Sequence, residues 1–261
     1  MSNDSTQRFT DRVADYVKYR PTYPREIVAF VRDTCQLAAD ARIADLGAGT
    51  GISAKLFLDA GHPVVAVEPN DAMRQAADRW LAGFIHYRSV SGTGEATTLP
   101  DASVDLVIAA QAFHWFDPPA AKREFARILK PGGSIALIWN FRRVTGTPFL
   151  EDYEALLRRY SLDYAQVADR YPGDAWMSEW FGADFVKKGR FDNIQRLDFD
   201  GLKGRLASSS YAPKPGHANY EPMLAALREL FDKDAQDGFV DFVYDTLVYV
   251  GRKPVISVNR L

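Results

Sequence analysis

The segment Ile43-Ala44-Asp45-Leu46-Gly47-Ala48-Gly49-Thr50-Gly51 joins a predicted strand to a predicted helix through three closely spaced glycines. Glycine lets the backbone approach a ligand closely, and the first turn of the following helix offers amide donors that have no partner within the helix. The segment therefore predicts a site for a nucleotide-like cofactor at the end of the first strand.

Two details of this loop narrow the kind of cofactor. The dinucleotide fingerprint requires glycines spaced G-x-G-x-x-G, whereas here the third such position is Ile52 and the glycine comes one residue earlier. Asp45 precedes the loop, and a carboxylate there would repel a pyrophosphate but suits a cofactor that carries an ammonium and a sulfonium. Glu68 ends the next predicted strand, where a carboxylate can accept hydrogen bonds from ribose hydroxyls.

Strands and helices alternate on both sides of the loop. We predict strands at 42–46, 62–68, 84–90, 103–110 and 134–140, separated by helices and by a turn at 130–133. The predicted helices of this part cover 11–19, 25–39, 52–60, 71–82 and 118–129. This alternation indicates a parallel sheet covered on both faces. Beyond position 140 we predict a helix at 147–171, an aromatic segment at 175–183, a strand at 189–199, a loop and a helix, another helix at 221–234 and a strand at 239–250.

The composition of the 261 residues is that of an ordinary globular protein, with 47% hydrophobic and 25% charged residues. The formal net charge of −2 offers no basic field for nucleic acid. Cys35 is the one cysteine, so no intrachain disulfide can form and a reducing compartment is favoured. The polar N-terminus and the short apolar runs predict neither a signal peptide nor a membrane span. We therefore expect a cytoplasmic protein, monomeric or homodimeric, that binds neither nucleic acid nor membrane.

Taken in order, five motifs resemble those of the class I S-adenosylmethionine (SAM)-dependent methyltransferases, in particular the small-molecule branch that includes trans-aconitate methyltransferase-like proteins. The similarity extends over about residues 9–140 and rests on DLGAGTG (45–51), VVAVEPN (64–70), GEATTLP (94–100), SVDLVIAAQAFHWF (103–116) and RILKPGGSIALIWN (127–140). No single motif is specific, but the ordered set is.

The resemblance implies an α/β fold: a Rossmann-like, seven-stranded, mostly parallel sheet of order 3-2-1-4-5-7-6, with helices on both faces and a helical substrate lid. It implies one methyltransferase domain over residues 1–261. Within it we expect N-terminal helices at 1–40, a SAM-binding core at 41–140 and substrate-side insertions at 141–190 and 201–237.

The resemblance also implies SAM as the cofactor, S-adenosylhomocysteine (SAH) as the product, and no metal. Glu68 would hold the ribose, with Pro69 and Met73 beside the adenine. Glu95 stands where the family usually has an aspartate, so its arm is one methylene longer. Arg20 either pairs with the methionine carboxylate or forms a surface ion pair. The full set of predicted cofactor residues is Tyr16, Arg20, Asp45, Gly47, Ala48, Gly49, Thr50, Gly51, Glu68, Pro69, Met73, Gly94, Glu95, Ala96, Gln111 and Ala112.

His114, after the fourth strand, is the candidate general base, because an imidazole pKa near ~6.5 suits proton transfer at neutral pH. The alternative is that it shapes the pocket wall. The candidate substrate-binding residues are polar or aromatic, and the aromatic ones have helical spacing that is equally typical of a core. They are Trp115, Asn140, Tyr160, Trp176, Trp180 and Tyr211.

The predicted activity is methyl transfer from SAM to an oxygen, in a hydroxyl or a carboxylate, of a small molecule. Two alternatives stay open: a non-catalytic SAM-binding module, and a nicotinamide-dependent oxidoreductase, against which the glycine spacing and Asp45 argue. Amino-methylating enzymes carry an asparagine–proline tetrapeptide after the fourth strand, where this chain has Gln111-Ala112-Phe113-His114.

Overall fold

A computed structural model describes residues 19–164 and 173–254. The strands, in chain order, are β1 (Ile43–Leu46), β2 (Val64–Val67), β3 (Tyr87–Val90), β4 (Val104–Ala110), β5 (Leu129–Arg142), β6 (Phe185–Leu197) and β7 (Val240–Arg252). The helices are α1 (Glu26–Cys35), α2 (Ile52–Leu58), α3 (Asp71–Leu81), α4 (Pro118–Ile128), α5 (Pro148–Tyr160), α6 (Asp174–Phe181), α7 (Phe199–Ala207) and α8 (Tyr220–Asp234).

The seven strands form one sheet in the order β3-β2-β1-β4-β5-β7-β6. The first five strands of that order are parallel, and β7 runs antiparallel to both β5 and β6. The predicted fold class is therefore confirmed, including the strand order and the helices on both faces. Because the parallel strands end at one edge, the loops after β1, β2 and β4 meet there.

Each face of the sheet buries its own apolar cluster. Phe113, Phe125 and Trp139 centre one cluster, to which α4 and α6 contribute, and Ile27 and Phe57 belong to the cluster under α1 and α2. A third cluster joins α5, α7 and α8 to the end of β7. The strands β1 and β2 are buried along their whole length, as expected for the centre of a doubly covered sheet.

Four helices begin at a side chain that accepts a hydrogen bond from the first turn. These caps are Asn70 before α3, Asp117 before α4, Thr147 before α5 and Asp198 before α7. Such side chains satisfy amide donors that the helix leaves unpaired. The caps fix where the chain leaves each loop, and two of these loops border the site described below.

Several predicted boundaries were wrong. Residues 130–133 belong to β5, because Leu129 already pairs with Val104 before a register shift in the strand. Phe199 begins α7 rather than ending a strand, since Asp198 caps that helix. The predicted helix 147–171 ends at Tyr160, and residues 165–172 lie outside the described residues. Of the predicted helix 11–19, only Tyr19 is among the described residues. None of the helices that the structure describes is long and apolar enough to cross a membrane.

Candidate active site

A cavity of about 250 Å³ opens at the carboxyl ends of β1, β2 and β4. Twelve of its lining residues were predicted from the sequence: Gly47, Ala48, Gly49, Thr50, Glu68, Pro69, Met73, Gly94, Glu95, Gln111, Ala112 and Trp115. Seven others also line it: Tyr23, Ile52, Ser53, Asn70, Thr93, Ala110 and Phe116.

The glycine loop has a backbone shape that other residues adopt at a cost. Gly47, Gly49 and Gly51 have φ angles of 67°, 57° and 88°. A Cβ on Gly47 would lie 2.6 Å from the Cβ of Ala112, and one on Gly51 would lie 2.7 Å from Leu81. The first contact keeps the loop close to the residues after β4, and the second keeps α2 close to α3.

Glu68 fastens this loop to the end of β2. One carboxylate oxygen accepts the amide of Gly49 at 2.8 Å, and the other accepts the amide of Asn70 at 2.9 Å. Burial raises the pKa of Glu68, while these two amides and Arg74 oppose the rise. The carboxylate lines the cavity and keeps lone pairs for a further donor.

Asp45 lies one layer behind the cavity wall. It is fully buried, and Oδ2 accepts the hydroxyl of Ser53, which does line the cavity, at 2.6 Å. Oδ1 has no hydrogen-bond partner among the described residues. Burial raises the pKa of Asp45 to about 7, with the charge of Glu68 adding to the rise and the Ser53 hydroxyl opposing it. The structure thus puts a titratable carboxyl beneath the glycine loop.

Two cavity residues also present buried polar atoms that have no partner among the described residues. These atoms are Oγ1 of Thr50, at the start of α2, and Oε1 of Gln111, directly after β4. The Gln111 amide donates through Nε2 to the carbonyl of Asn140, so the side chain is held while its oxygen has no partner. Since buried polar atoms are normally paired, such atoms beside a cavity mark positions for ligand groups.

The loop at residues 93–97 contributes Thr93, Gly94 and Glu95 to the lining of the cavity. Glu95 accepts the backbone amide of Asp117 at 2.7 Å, and Thr97 donates its amide and its hydroxyl to Glu124. The ring of Phe116 fills the space above Gly94, where a Cβ would lie 2.5 Å from it. These contacts attach the loop to α4 and to the residues that lead into it.

Comparisons with known proteins agree with this geometry. The sequence profile described as methyltransferase domain matches residues 44–137. The chain is 41% identical over 143 residues to the uncharacterised methyltransferase Rv3342 of Mycobacterium tuberculosis, covering 53% of this chain and 54% of that protein, so it spans about half the length of that relative. It is 28% identical to the uncharacterised methyltransferase C25B8.09 of Schizosaccharomyces pombe over 257 residues, 95% of this chain and 98% of the relative.

Among solved structures, a chain from Anaeromyxobacter dehalogenans, provisionally described as a type II methyltransferase, has the same fold. The TM-score is 0.61 at 24% identity, with 90% of this chain and 98% of that chain covered. Residues 44–137 thus resemble a methyltransferase domain, and the strand order is that of the Rossmann-like methyltransferase fold.

The residues of the cavity fit S-adenosylmethionine, the cofactor that the sequence resemblance implies. SAM carries an ammonium, a carboxylate, ribose hydroxyls and an adenine amine, which need acceptors and donors around an apolar base. The cavity supplies the unpaired oxygens of Thr50 and Gln111, the Glu68 carboxylate, and apolar surface from Met73 and Pro69. In the described ranges, no group of three or more His, Cys, Asp or Glu side chains is placed to hold a metal ion.

His114 stands beside the cavity rather than in its lining. Its Nδ1 accepts the indole N–H of Trp139 at 3.5 Å, and its ring lies 4.9 Å from that of Trp115, which does line the cavity. The general-base role of His114 stays a prediction.

The other predicted site residues lie around the cavity at varying distances. Gly51 and Ala96 adjoin lining residues without lining the cavity, and Arg20 donates to the carbonyl of Ser208 at 2.8 Å. Trp176 and Trp180 pack on Phe113, within the apolar cluster of that face. Tyr16 lies outside the described residues.

Asn140, Tyr160 and Tyr211 do not line the cavity either. Tyr160 and Tyr211 pack against the cluster under α5 and α8. Asn140 donates to the carbonyl of Thr22 at 3.1 Å and accepts the hydroxyl of Thr246 at 2.5 Å. It therefore joins β5 to β7 and to the segment before α1.

Some cavity residues were not predicted from the sequence, and the sequence evidence that could have identified them differs from one to the next. Ser53 and Ile52 open the helix after the glycine loop, and Asn70 follows Glu68 and Pro69, so these three could have been included from their neighbours. Thr93 precedes the GEATTLP motif, and Ala110 and Phe116 flank predicted residues. Tyr23 comes from a distant segment and reaches the cavity only through the tertiary fold.

Proposed function

We propose that this methyltransferase transfers the methyl group of SAM to an oxygen, in a hydroxyl or a carboxylate, of a small-molecule acceptor by in-line displacement. The observation that carries the proposal is the buried carboxyl of Asp45 beneath the glycine loop, with Glu68 holding that loop from the side. Two acids at this position suit a cationic sulfur nucleoside and disfavour a diphosphate.

The lining residues divide into two ends of the cofactor site. Glu68 would accept from the ribose hydroxyls, and Pro69, Met73 and the 93–97 loop would enclose the adenine. At the other end, the oxygens of Thr50 and Gln111 would accept from the ammonium of the methionine portion. Glu95 already accepts a backbone amide, which leaves its second oxygen for the adenine amine.

The chemistry demands alignment more than proton transfer. When bound, SAM supplies a methyl group on a positively charged sulfur, which is already a strong electrophile. The protein must hold the acceptor in line and exclude water. Trp115 and Tyr23 provide walls for this purpose at the Gln111 end of the cavity. His114 would take a proton only from an acceptor that arrives protonated, such as a hydroxyl.

The segments 141–190 and 201–237, which contain α5, α6, α7 and α8, would cover the acceptor as a lid on the single domain. We include in the proposal a cytoplasmic location, a monomer or homodimer, and no nucleic-acid or membrane partner. Of the alternatives, the oxidoreductase would place a pyrophosphate over the buried Asp45. The non-catalytic module does not account for the aromatic wall beside the methionine end.

Calorimetry tests the cofactor, and mass spectrometry tests the reaction. The protein should bind SAM and SAH and show no binding of NAD at millimolar concentration. Native mass spectrometry of the purified protein should reveal SAM, SAH or a retained acceptor. An acceptor panel of hydroxyl and carboxyl compounds is then incubated with SAM carrying a deuterated methyl group. NAD binding without SAH binding would refute the proposal, and SAH binding with no labelled product from any panel member or cell extract would favour the non-catalytic module.

A further inference from the structure

The ring of Phe116 lies between two loops that border the cofactor cavity. It lines the cavity together with Gly47 of the glycine loop and Gly94 of the 93–97 loop. A Cβ on Gly47 would lie 3.4 Å from Cζ of the ring, and a Cβ on Gly94 would lie 2.5 Å from Cδ2. The two loops therefore approach different atoms of one ring, and that ring limits how closely the loops can approach each other.

Neighbouring residues hold the ring in this place. Phe113 packs edge-on against Phe116 with the ring centres 5.8 Å apart, and Phe125 does so at 6.5 Å. The amide of Phe116 donates to the carbonyl of Phe113 at 3.1 Å, which closes the short turn after β4. The next residue, Asp117, donates its amide to Glu95 and caps α4. Because these groups are closely packed, the ring cannot move aside without disturbing them.

Gly94 meets a requirement for space rather than for an unusual backbone conformation. Its φ angle is not in the positive range found at Gly47, Gly49 and Gly51, so the backbone at position 94 is open to other residues. A Cβ there would nevertheless lie 2.5–2.7 Å from three atoms of the Phe116 ring, whereas two carbon atoms in contact prefer about 3.5–4.0 Å. The 93–97 loop can approach the ring this closely because position 94 carries no side chain.

The separation of the two loops matters for a ligand that touches both. In the proposed binding of SAM, Thr50 of the glycine loop accepts from the methionine portion and the 93–97 loop encloses the adenine. A ligand with both portions needs the two loops at one separation, whereas a ligand with the adenine alone does not. In such a site a misplacement of about 1 Å can cost up to about 10²-fold.

We propose that Phe116 is a positioning residue that sets the separation of the glycine loop and the 93–97 loop, so that the site favours the complete cofactor over its adenosine fragment. This inference rests on the proposed binding of SAM. A larger residue at position 94 would push the loops apart, and a smaller one at position 116 would let them close. The two changes act on the same distance in opposite directions, so together they should compensate.

Calorimetry with two ligands tests this role. The ligands are SAH, which has both portions, and methylthioadenosine, which lacks the amino-acid portion. Phe116→Leu should weaken SAH binding about tenfold and methylthioadenosine binding less than about threefold, because the fragment does not depend on the separation of the loops. Gly94→Ala should also weaken SAH binding about tenfold, since the new methyl group displaces the ring.

The double variant Gly94→Ala/Phe116→Leu separates positioning from a general loss of packing. Its added methyl group occupies space that the smaller side chain leaves, so SAH affinity should return to within about threefold of the wild type. Two independent losses of packing would add instead. The matched control is Phe181→Leu, in the same apolar cluster but not in the lining of the cavity. It should lower the Tm and leave SAH affinity unchanged.

The positioning role would be overturned by an SAH affinity in Phe116→Leu within about threefold of the wild type, by equal losses for the two ligands, or by losses that add in the double variant. If Phe116→Leu does not fold, Phe116→Met, which keeps apolar volume without a rigid ring, replaces it alone and with Gly94→Ala under the same criteria. SAH binding by the wild type is measured first. Its failure would refute the proposed methyl transfer, whereas normal wild-type binding with any of these results refutes the positioning role alone.

Discussion

At the scale of single residues, Asp45 combines complete burial with a titratable group. Burial raises its pKa from an ordinary value near ~3.9 in the unfolded chain to about 7 in the folded protein. Between these values the folded state binds more protons than the unfolded state. The free energy of unfolding therefore falls as the pH rises from about 4 through 7, and the stabilisation is complete only below the unfolded pKa.

Asp45→Asn should remove this pH dependence, since the amide keeps the shape of the side chain without a charge. We expect the advantage of the variant over the wild type in unfolding free energy to be about 2–3 kcal/mol larger at pH 8 than at pH 5. Urea titrations at the two pH values, without cofactor, measure the difference. A variant equally destabilised at both would show that Asp45 is ionised throughout and held by other contacts.

His114→Ala should slow methyl transfer much more than it weakens SAH binding, because the ring adjoins Trp115 without lining the cavity. Single-turnover rates and SAH calorimetry give the two quantities. Asn at this position offers a matched control that can donate a hydrogen bond but cannot titrate. Unchanged turnover in His114→Ala would remove the general-base role, and full rescue by Asn would assign the ring to hydrogen bonding alone.

At the scale of elements, the turn from β1 into α2 depends on backbone shape as much as on side chains. Its positive φ angles admit the close approach of β4 and α3 described above. A β-branched residue at such an angle is strained wherever it occurs. We therefore expect such a substitution to lower the affinity for the cofactor only where the strained residue lines the cavity.

Gly49→Val should lower SAH affinity at least tenfold, about 1.4 kcal/mol, because Gly49 lines the cavity and donates its amide to Glu68. The control is Gly61→Val, after α2, where φ is 89° and nothing lies within 4 Å of a new Cβ. Both variants should lose about 1–3 kcal/mol of stability. Equal SAH affinities in the two would mean that the loop geometry does not matter for binding.

The turn from β1 into α2 was also the part of the site that was easiest to predict from the sequence. Strand, glycine turn, helix cap and acidic strand end are local signals, and the glycine loop, Glu68 and Gln111 all border the cavity. Trp176, Trp180, Tyr160 and Tyr211 show the limit, because aromatic residues at helical spacing look the same whether they face a core or a pocket. Whether Asp45 enters the cavity or lies behind it depends on the packing of α2, which no local sequence pattern predicts.

At the scale of the whole molecule, Asn140 connects the parallel and antiparallel parts of the sheet. Its side chain contacts the carbonyl of Thr22, the hydroxyl of Thr246 and the amide of Asn193, and its carbonyl accepts from Gln111. One buried residue of β5 thus links β6, β7, the segment before α1 and the cavity residue Gln111. A buried network of this kind rigidifies a fold only while each member is paired.

Asn140→Ala should lower the free energy of unfolding by about 1–3 kcal/mol, since it leaves buried partners unpaired. SAH affinity should also fall, because Thr22 precedes the lining residue Tyr23. The control is Asn193→Ala, which removes a half-buried donor to the carbonyl of Thr22 and to Asn140 itself and should cost less than about 1 kcal/mol. Denaturant titration compares the free energies of unfolding of the two variants, and calorimetry compares their SAH affinities. Equal losses in the two variants would show that Asn140 contributes no more than Asn193.

The two hydrogen bonds that Glu68 accepts from the amides of Gly49 and Asn70 have a kinetic consequence. Because the loop is already fastened, an incoming nucleoside meets a receptor that needs little reorganisation, and conformational entropy lost at binding stays small. Encounter should then limit the on-rate, with no slow isomerisation phase in stopped-flow traces. The Gly49 amide should exchange with deuterium slowly in both the free and the SAH-bound protein. The loop would then be rigid, although its three glycines would otherwise suggest mobility.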